Sequence, residues 1–198
     1  MKKAVIFILL IALLIPLVSC NTSNATVYFE YKLNEDAKSY SITNVTVLIP
    51  SEVIIPKEYK KLPVTQIDVG AFSNCEMVNS IVIPETIESI KCSFENCPAL
   101  TRIEVNAYNK NFRSISGNLY SKDGTKLIQY AIGKKDSSFV VPSSVEQINS
   151  SAFTCSRYLS SIEVDEHNQH YKSMDGNLYT IDGKSLIQYA VAKDGISF

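Results

Sequence analysis

The feature that most constrains this chain is a short apolar pattern that recurs at a fixed spacing. Its first complete copy is IDVGAFSNCEMVNSIVIP, residues 67–84. Four positions of this copy return at one constant offset: Phe72, Cys75, Val78 and Ile81 recur as Phe94, Cys97, Leu100 and Ile103. A unit this short cannot bury its own apolar face, so it must stack on similar neighbours. The pattern therefore predicts a solenoid.

A longer repeat overlies the first. Residues 103–139 and 162–198 align without gaps, and both copies contain the motifs GNLY and LIQYA. Between the motifs lie Asp123-Gly124 and Asp182-Gly183. Asp-Gly between two strand-like runs is a strong hairpin signal, because the turn requires positive φ. The sequence therefore predicts inserted β-hairpins near residues 117–131 and 176–190.

The N-terminus predicts a targeting signal rather than a part of the fold. Lys2 and Lys3 precede an uncharged apolar run at positions 4–18. This run is too short to span a bilayer as a helix, which needs about 20 apolar residues. A basic start followed by a shorter apolar core is typical of a secretory signal peptide, here residues 1–19.

The end of this signal is more specific. The sequence LVSC at residues 17–20 resembles the lipobox of bacterial lipoproteins. The resemblance implies cleavage before Cys20 and a diacylglycerol on its thiol, with residues 20–27 as a lipidated polar tether. Asn21, rather than Asp, favours the outer membrane or the cell surface within the bacterial envelope. The alternatives are an ordinary signal peptide with a coincidental cysteine, or an uncleaved anchor.

Residues 28–66 are predicted to form an N-terminal cap, followed by the repeats at 67–198. Short strands are expected at residues 28–33, 39–43 and 45–49, and Val53-Ile54-Ile55-Pro56 already shows the strand-then-proline pattern of the repeats. A cap is physically required because the first coil would otherwise expose an open strand edge and an apolar end.

The repeats resemble the BspA-like, or treponemal, class of leucine-rich repeats. The similarity lies in Phe-x-x-Cys-x-x-Leu-x-x-Ile before a short strand ending in proline, and in the repeated Leu-Ile-Gln-Tyr hairpins. It implies a β-rich leucine-rich-repeat solenoid, of the α/β-solenoid class with little helix, curved around a strand ladder. It also implies surface display and adhesion to host proteins or to other cells.

The four cysteines besides Cys20 leave two alternatives open. Cys75 and Cys97 are predicted to lie on adjacent coils about 5 Å apart, which is within disulfide range in an oxidising compartment. A disulfide could join this pair or involve Cys92, whereas the family resemblance implies a ladder of free thiols at this position. Cys155 departs from the pattern by one place, because Ser156 occupies the ladder position.

No constellation of residues predicts an enzyme, a metal site or a cofactor. Both histidines lie in DEHNQH, residues 165–170, but the equivalent segment 106–111 is NAYNKN, so a solvated turn explains both. No histidine in an apolar setting could activate the many serines, and no glycine-rich phosphate loop is present. The net charge of −1 and the lack of a basic cluster also exclude a nucleic-acid partner.

The repeated hairpin tyrosines are the candidate binding residues: Tyr120, Tyr130, Tyr179 and Tyr189. Exposed tyrosine is favoured at interfaces because it offers a large contact area at small entropic cost. The alternative is that each hairpin packs its own tyrosines onto the solenoid, since repetition also serves packing.

The sequence thus predicts a surface-displayed, lipid-anchored protein that binds a protein or cell-surface ligand. The alternative is a structural or scaffold lipoprotein that binds a partner of the same cell. The first module continues past Phe139 into another strand, whereas the second reaches Phe198, its equivalent, without a polar cap. We expect either a truncated member of the family, or a last coil covered by a partner or by self-association.

Overall fold

The computed structural model describes residues 27–48, 51–91 and 94–192, which form strands and turns without an α-helix. The N-terminal strands are β1 (Val27–Leu33), β2 (Tyr40–Val47), β3 (Ser51–Ile54), β4 (Glu58–Tyr59) and β5 (Leu62–Ile67). The next strands are β6 (Val78–Ile83), β7 (Ser89–Ile90), β8 (Arg102–Val105), β9 (Phe112–Ile115), β10 (Asn118–Ser121) and β11 (Lys126–Gln129). The last strands are β12 (Ser138–Val141), β13 (Gln147–Ile148), β14 (Ser161–Val164), β15 (Tyr171–Met174), β16 (Asn177–Thr180) and β17 (Leu186–Gln188).

The predicted signal peptide and tether, up to Thr26, lie outside the described residues. Within the described ranges, no helix has the length and apolarity needed to cross a membrane.

One wall of the solenoid is a ladder of parallel strands. β3, β6 and β8 pair side by side, and the register places Ile81 between Val53 and Ile103. These three side chains are fully buried. β12 and β14 form a second parallel pair of the same kind. The ladder follows from the short repeat, because β-branched residues at equivalent positions stack into one core.

The opposite wall, which we call the return wall, is built by shorter strands. β5 pairs with β7 through Ile67 and Ile90, and β11 pairs with β13 through Leu127 and Ile148, in both cases in parallel. β11 is therefore the return strand of its own coil as well as the last strand of the inserted hairpin. This double use was not predicted from the sequence.

The corners of the coils are filled by aromatic rings and closed by left-handed residues. The rings of Phe72 and Phe94 are 5.3 Å apart in adjacent coils. Asn74 and Asn96 have φ of 60° and 53°, a region that asparagine tolerates better than most residues. Their side chains also stack, since Asn96 Nδ2 donates to Asn74 Oδ1 at 2.7 Å. Cys155 occupies the same position in a later coil, with φ of 66°.

The cap closes the N-terminal end of the solenoid with antiparallel strands. β1 pairs with β2 along its whole length, and β2 joins the return wall by pairing with β5. Two short strands were expected at residues 39–43 and 45–49, but the described part of that segment forms the single strand β2. On the cap, Tyr31 stacks on Tyr59 with ring centroids 3.9 Å apart.

Each inserted hairpin contains two turns. β10 and β11 meet around Asp123-Gly124, where Gly124 supplies the positive φ of 82°. A second turn, at Ser116-Gly117, joins β9 to β10 with both residues at positive φ, 49° and 73°. Asp175-Gly176 repeats the second turn in the later module, at 49° and 69°. Neither β9 nor its turn was predicted, although Ser116-Gly117 and Asp175-Gly176 are both dipeptides typical of turns.

The hairpins close the free edge of the ladder. The N–H of Ile103 in β8 donates to the carbonyl of Gly117 at 2.8 Å, and Ser114 Oγ donates to the carbonyl of Ile103 at 2.6 Å. The N–H of Ile162 donates in the same way to the carbonyl of Gly176 at 2.8 Å. β8 thus has β6 on one side and its own hairpin on the other. Such a closed edge cannot pair with another chain.

Strand β10 lies between the two halves of the core. Leu119 belongs to a buried cluster that begins in the cap, while its neighbour Tyr120 belongs to a second cluster that extends to Ala190. Successive side chains of a strand point to opposite faces. β10 therefore presents one side chain to each cluster.

Two buried asparagines hold the turns that follow β8 and β14. Asn109 donates to the carbonyls of Pro84 and Ile87 at 2.8 and 3.0 Å. Its side-chain oxygen accepts from the N–H groups of Asn111 and Phe112 at 2.9 and 2.8 Å.

In the second module, Asn168 makes the same four bonds. It donates to Pro142 and Val145 at 2.8 and 2.9 Å, and it accepts from His170 and Tyr171 at 2.8 Å each. Each asparagine uses both of its donors and accepts twice, so its hydrogen-bonding capacity is filled.

Candidate binding surface

The most distinctive exposed surface is the outer side of the ladder formed by β3, β6 and β8. Because side chains alternate along a strand, the residues between the buried ones point outward. We call this surface the ladder face, and it consists of Glu52, Ile54, Ser80, Val82, Arg102 and Glu104. Within it Ser80 is buried and Val82 is partly buried. Ile54 is a large apolar side chain on this surface and is 50% exposed.

The register arranges the ladder face into two rows. Glu52 pairs with Ser80 and Ser80 with Arg102, which makes a polar row across the three strands. Ile54 pairs with Val82 and Val82 with Glu104, which makes a row that is mainly apolar. Polar and apolar groups therefore lie side by side on one exposed sheet surface.

Arg102 is the electrostatic centre of the ladder face. Its guanidinium lies 3.2 Å from Glu104 Oε1 and 3.5 Å from Glu52 Oε1, and Ser80 Oγ donates to Glu52 at 3.1 Å. The three charged side chains are about half exposed, so these ion pairs contribute little stability. They place the guanidinium between two carboxylates on the surface. Arginine in such a setting is a residue type enriched at protein interfaces.

The second ladder pair offers a smaller surface of the same type. Val140 in β12 is 54% exposed and pairs with Glu163 in β14. Ser161 Oγ hydrogen-bonds the carboxylate of Glu163. An exposed valine beside a glutamate thus repeats the mixed character of the ladder face.

The prediction that the hairpin tyrosines are exposed is wrong for Tyr120 and Tyr130. Each is only 1% exposed. Tyr120 points from β10 into the second core cluster, and the Tyr130 ring lies 5.1 Å from Phe139 and 5.6 Å from Phe153. Burial accordingly raises the pKa of Tyr120 to about 12. These two side chains are core residues, as the packing alternative expected.

The equivalent tyrosines of the second module have a different environment. Tyr179 and Tyr189 are partly exposed, although their sequence context matches that of the first module. They lie on the last described coil.

Cys75 and Cys97 are buried free thiols, so the disulfide between them is not formed. Each sulfur donates to a backbone carbonyl instead: Cys75 to Val45 at 3.4 Å, and Cys97 to Phe72 at 2.9 Å. Burial raises the pKa of Cys75 to about 11 and that of Cys97 to about 12. Cys155 is exposed and free.

Cys92 lies outside the described residues.

The histidine segment is a surface turn in which His167 and His170 are both exposed. His167 Nδ1 lies 3.3 Å from Asp165 Oδ1. Across residues 27–48, 51–91 and 94–192, no group of three or more His, Cys, Asp or Glu side chains is placed to hold a metal ion.

Sequence reasoning missed both the ladder face and the buried asparagines. Strict alternation in Glu52-Val53-Ile54 and Arg102-Ile103-Glu104 could have identified the outward residues. The asparagines carried a signal as well, because Asn109 and Asn168 keep the offset of the longer repeat within otherwise different turns.

The structure is a β-solenoid of stacked coils with a strand ladder on one wall, and this defines the class of protein. The sequence profile of the BspA-type leucine-rich repeat region matches residues 51–173 in six copies. The match covers more than half of the chain, so the chain belongs to the BspA-type leucine-rich repeat family. No curated protein matches it.

Solved structures of leucine-rich-repeat proteins are similar to this chain. The pneumococcal vaccine antigen PcpA is 26% identical, with a TM-score of 0.49 over 55% of this chain and 27% of that one. A Treponema pallidum leucine-rich-repeat protein is 24% identical, with a TM-score of 0.48 over 68% of each chain. One from Eubacterium ventriosum is 18% identical, with a TM-score of 0.45 over 73% of this chain and 61% of that one.

The shared region thus spans less than two thirds of the PcpA and E. ventriosum chains.

The cysteine geometry predicts selective alkylation. With iodoacetamide at pH 8, Cys155 should react in the folded protein, while Cys75 and Cys97 should stay unmodified because they are buried and protonated. All three should react in guanidinium chloride, and peptide mass spectrometry reads each site separately. A Cys75–Cys97 disulfide peptide from protein purified without reductant would contradict the free-thiol assignment.

Proposed function

We propose that this chain is a surface-displayed, lipid-anchored binding protein that recognises a protein or cell-surface ligand through the ladder face. The observation that carries the proposal is the row of exposed Ile54 and partly exposed Val82 beside Arg102, which lies between Glu52 and Glu104. Leucine-rich-repeat proteins generally bind other proteins, and the chain belongs to that group.

The chemistry of the ladder face favours a protein ligand. An apolar row next to a fixed guanidinium can bury aliphatic or aromatic side chains and accept a carboxylate from the partner. The flanking glutamates can receive a partner's lysine or arginine. The proposal includes no catalytic step, metal or cofactor, because leucine-rich repeats act as interaction scaffolds rather than as an enzyme family.

Anchoring is proposed through Cys20 in the bacterial envelope, with display at the outer membrane or cell surface. The support is the LVSC motif, followed by the polar or small side chains of positions 21–26 before β1 begins at Val27. Several acyl chains on one residue anchor a protein far more stably than one, since each buried CH₂ contributes about 0.8 kcal/mol. The short tether would hold the cap close to the membrane.

The second candidate is a scaffold lipoprotein that binds a partner of the same cell. It uses the same ladder face and the same anchor, so the two candidates differ only in where the folded part is displayed. Protease added to intact cells separates them. Degradation of residues 27–192 supports outward display, whereas full protection supports the scaffold role.

Reversing the charge of Arg102 tests the ladder face. The full mature chain is first screened against purified extracellular-matrix proteins and against its own solubilised envelope proteins. Against the probe that binds, Arg102→Glu should weaken affinity at least 10-fold, because a central interface arginine contributes about 2 kcal/mol or more.

The matched control is Arg157→Glu, the same charge change at an exposed position in the turn before β14. It should leave affinity unchanged, and both variants should unfold at the wild-type temperature. Equal binding by Arg102→Glu and the wild-type protein would contradict the assignment of the ladder face, as would the absence of binding to every probe.

Replacing Cys20 tests the anchor. The Cys20→Ala variant should move from the membrane fraction to the soluble fraction and should lose metabolic labelling by palmitate. Cys155→Ala, at an exposed cysteine of the folded part, should keep both properties. A Cys20→Ala protein that stays membrane-bound shows that the apolar segment itself anchors the chain.

A further inference from the structure

A polar cleft of about 330 Å³ lies on the outer side of the return wall, where the cap joins it. This volume is near the lower end of the range for small-molecule sites, about 300–1,000 Å³. We call it the cap cleft, and its lining includes Lys32, Asn34, Glu35, Ser41, Gln66 and Asp68. Every described lining residue is polar or charged, so an apolar ligand has no matching surface there.

The register of the strands forms the floor of the cap cleft. Lys32 of β1 pairs with Ser41 of β2, and Ser41 pairs with Gln66 of β5. The residues that follow in β2 and β5, Ile42 and Ile67, are fully buried in the core. Because side chains alternate along a strand, Ser41 and Gln66 point to the outer side of the wall. Polar groups of three strands therefore lie side by side in the cleft.

The turn between β1 and β2 forms one side of the cap cleft and is bonded to the wall. Asn34 Nδ2 donates to Ser39 Oγ at 2.8 Å and to Thr65 Oγ1 at 3.3 Å. Asn34 Oδ1 accepts from Ser41 Oγ at 2.5 Å. Within the turn, Asp36 Oδ1 accepts from the N–H of Ser39 at 3.1 Å. These bonds preorganise the turn, which lowers the entropic cost of binding a ligand against it.

The cap cleft offers hydrogen-bonding groups to a ligand. Gln66 is partly buried, and in the part of the chain that the structure describes its side-chain amide has no hydrogen bond within the protein. It can therefore give a ligand two donors and an acceptor. Lys32 and Glu35 are exposed lining residues that add a cation and a carboxylate. Asp68 and Lys91 also line the cleft and form an ion pair of 3.2 Å.

These groups favour a neutral, hydroxyl-rich ligand. A hydroxyl both donates and accepts, so it can pair with an amide, an ammonium group and a carboxylate alike. The lining contains two lysines and three acids, which is too balanced to select a strongly charged ligand. A peptide that adds a strand needs an open strand edge. β2 lies between β1 and β5, and β5 is paired with both β2 and β7, so the floor offers no such edge.

We propose that the cap cleft is a glycan-binding site that holds one neutral sugar unit. The amide of Gln66 donates to one hydroxyl and accepts from its neighbour, and Lys32 donates to a further oxygen of the sugar. The site is separate from the ladder face, because it lies on the opposite wall of the solenoid.

The test is saturation-transfer-difference NMR on the chain from Asn21 to Phe198. The probes are the methyl glycosides of glucose, galactose, mannose and N-acetylglucosamine. At least one glycoside should give a signal. Gln66→Leu should weaken its affinity at least 10-fold, because an apolar group of similar size leaves the sugar hydroxyls without partners.

The matched control is Gln147→Leu. Gln147 precedes Ile148 in β13 as Gln66 precedes Ile67 in β5, and it is exposed but does not line the cap cleft. This variant should bind the glycoside with wild-type affinity. Lys32→Ala changes an exposed lining residue and should also weaken binding, which keeps the test decisive if Gln66→Leu does not fold.

Three results would overturn the proposal: no signal from any of the glycosides, wild-type affinity in both cleft variants, or an equal loss in Gln147→Leu. Arg102→Glu should bind the glycoside with wild-type affinity. The outcome at the cap cleft is therefore independent of the outcome at the ladder face.

Discussion

The modules depend on one repeated interaction, the buried asparagine side chain that binds four backbone groups. After a ladder strand, the chain must turn away from the coil and begin a hairpin, which leaves backbone groups of two coils without strand partners. Asn109 and Asn168 satisfy these groups from within the turn. A buried backbone group without a partner costs about 1–3 kcal/mol, so an apolar residue in place of either asparagine would destabilise this arrangement.

The hairpins that begin at these turns determine the rest of the architecture. Each one closes the edge of its ladder strand, and β11 of the first hairpin is also the return strand of its coil, which pairs with β13 of the next coil. Coils with a hairpin therefore end one ladder and start another, which explains why the ladder divides into strands β3, β6 and β8 and strands β12 and β14. The closed edge of β8 leaves the outward side of the ladder as the surface on which we propose binding.

Much of this fold could be predicted from the sequence, because residues that recur at a fixed spacing stack on each other in adjacent coils. The spacing of Phe72 and Phe94 corresponds to two rings 5.3 Å apart in the structure. The turn at Gly124 followed from local chemistry in the same way. The tyrosines could not be placed by such reasoning. Whether Tyr120 is covered depends on the next coil along the chain, which contributes Phe153, and identical motifs therefore have different exposure in the two modules.

The ladder face could be predicted from the sequence only in part. Alternation in the strand sequences indicates that Ile54 and Arg102 point outward. Their arrangement into neighbouring rows depends on register across three strands, which a single strand does not encode. The sequence could thus indicate the residues of this candidate surface, but not their contacts.

The most direct test of this account is the free energy of unfolding of an Asn109→Ala variant, measured by urea denaturation. The account predicts a loss of about 2–4 kcal/mol, because four backbone groups lose the Asn109 side chain, three of them from buried hydrogen bonds. Asn111→Ala, in the same turn and exposed, should stay within about 0.5 kcal/mol of the wild-type protein. An Asn109→Ala variant as stable as Asn111→Ala would contradict the central role of the buried asparagines.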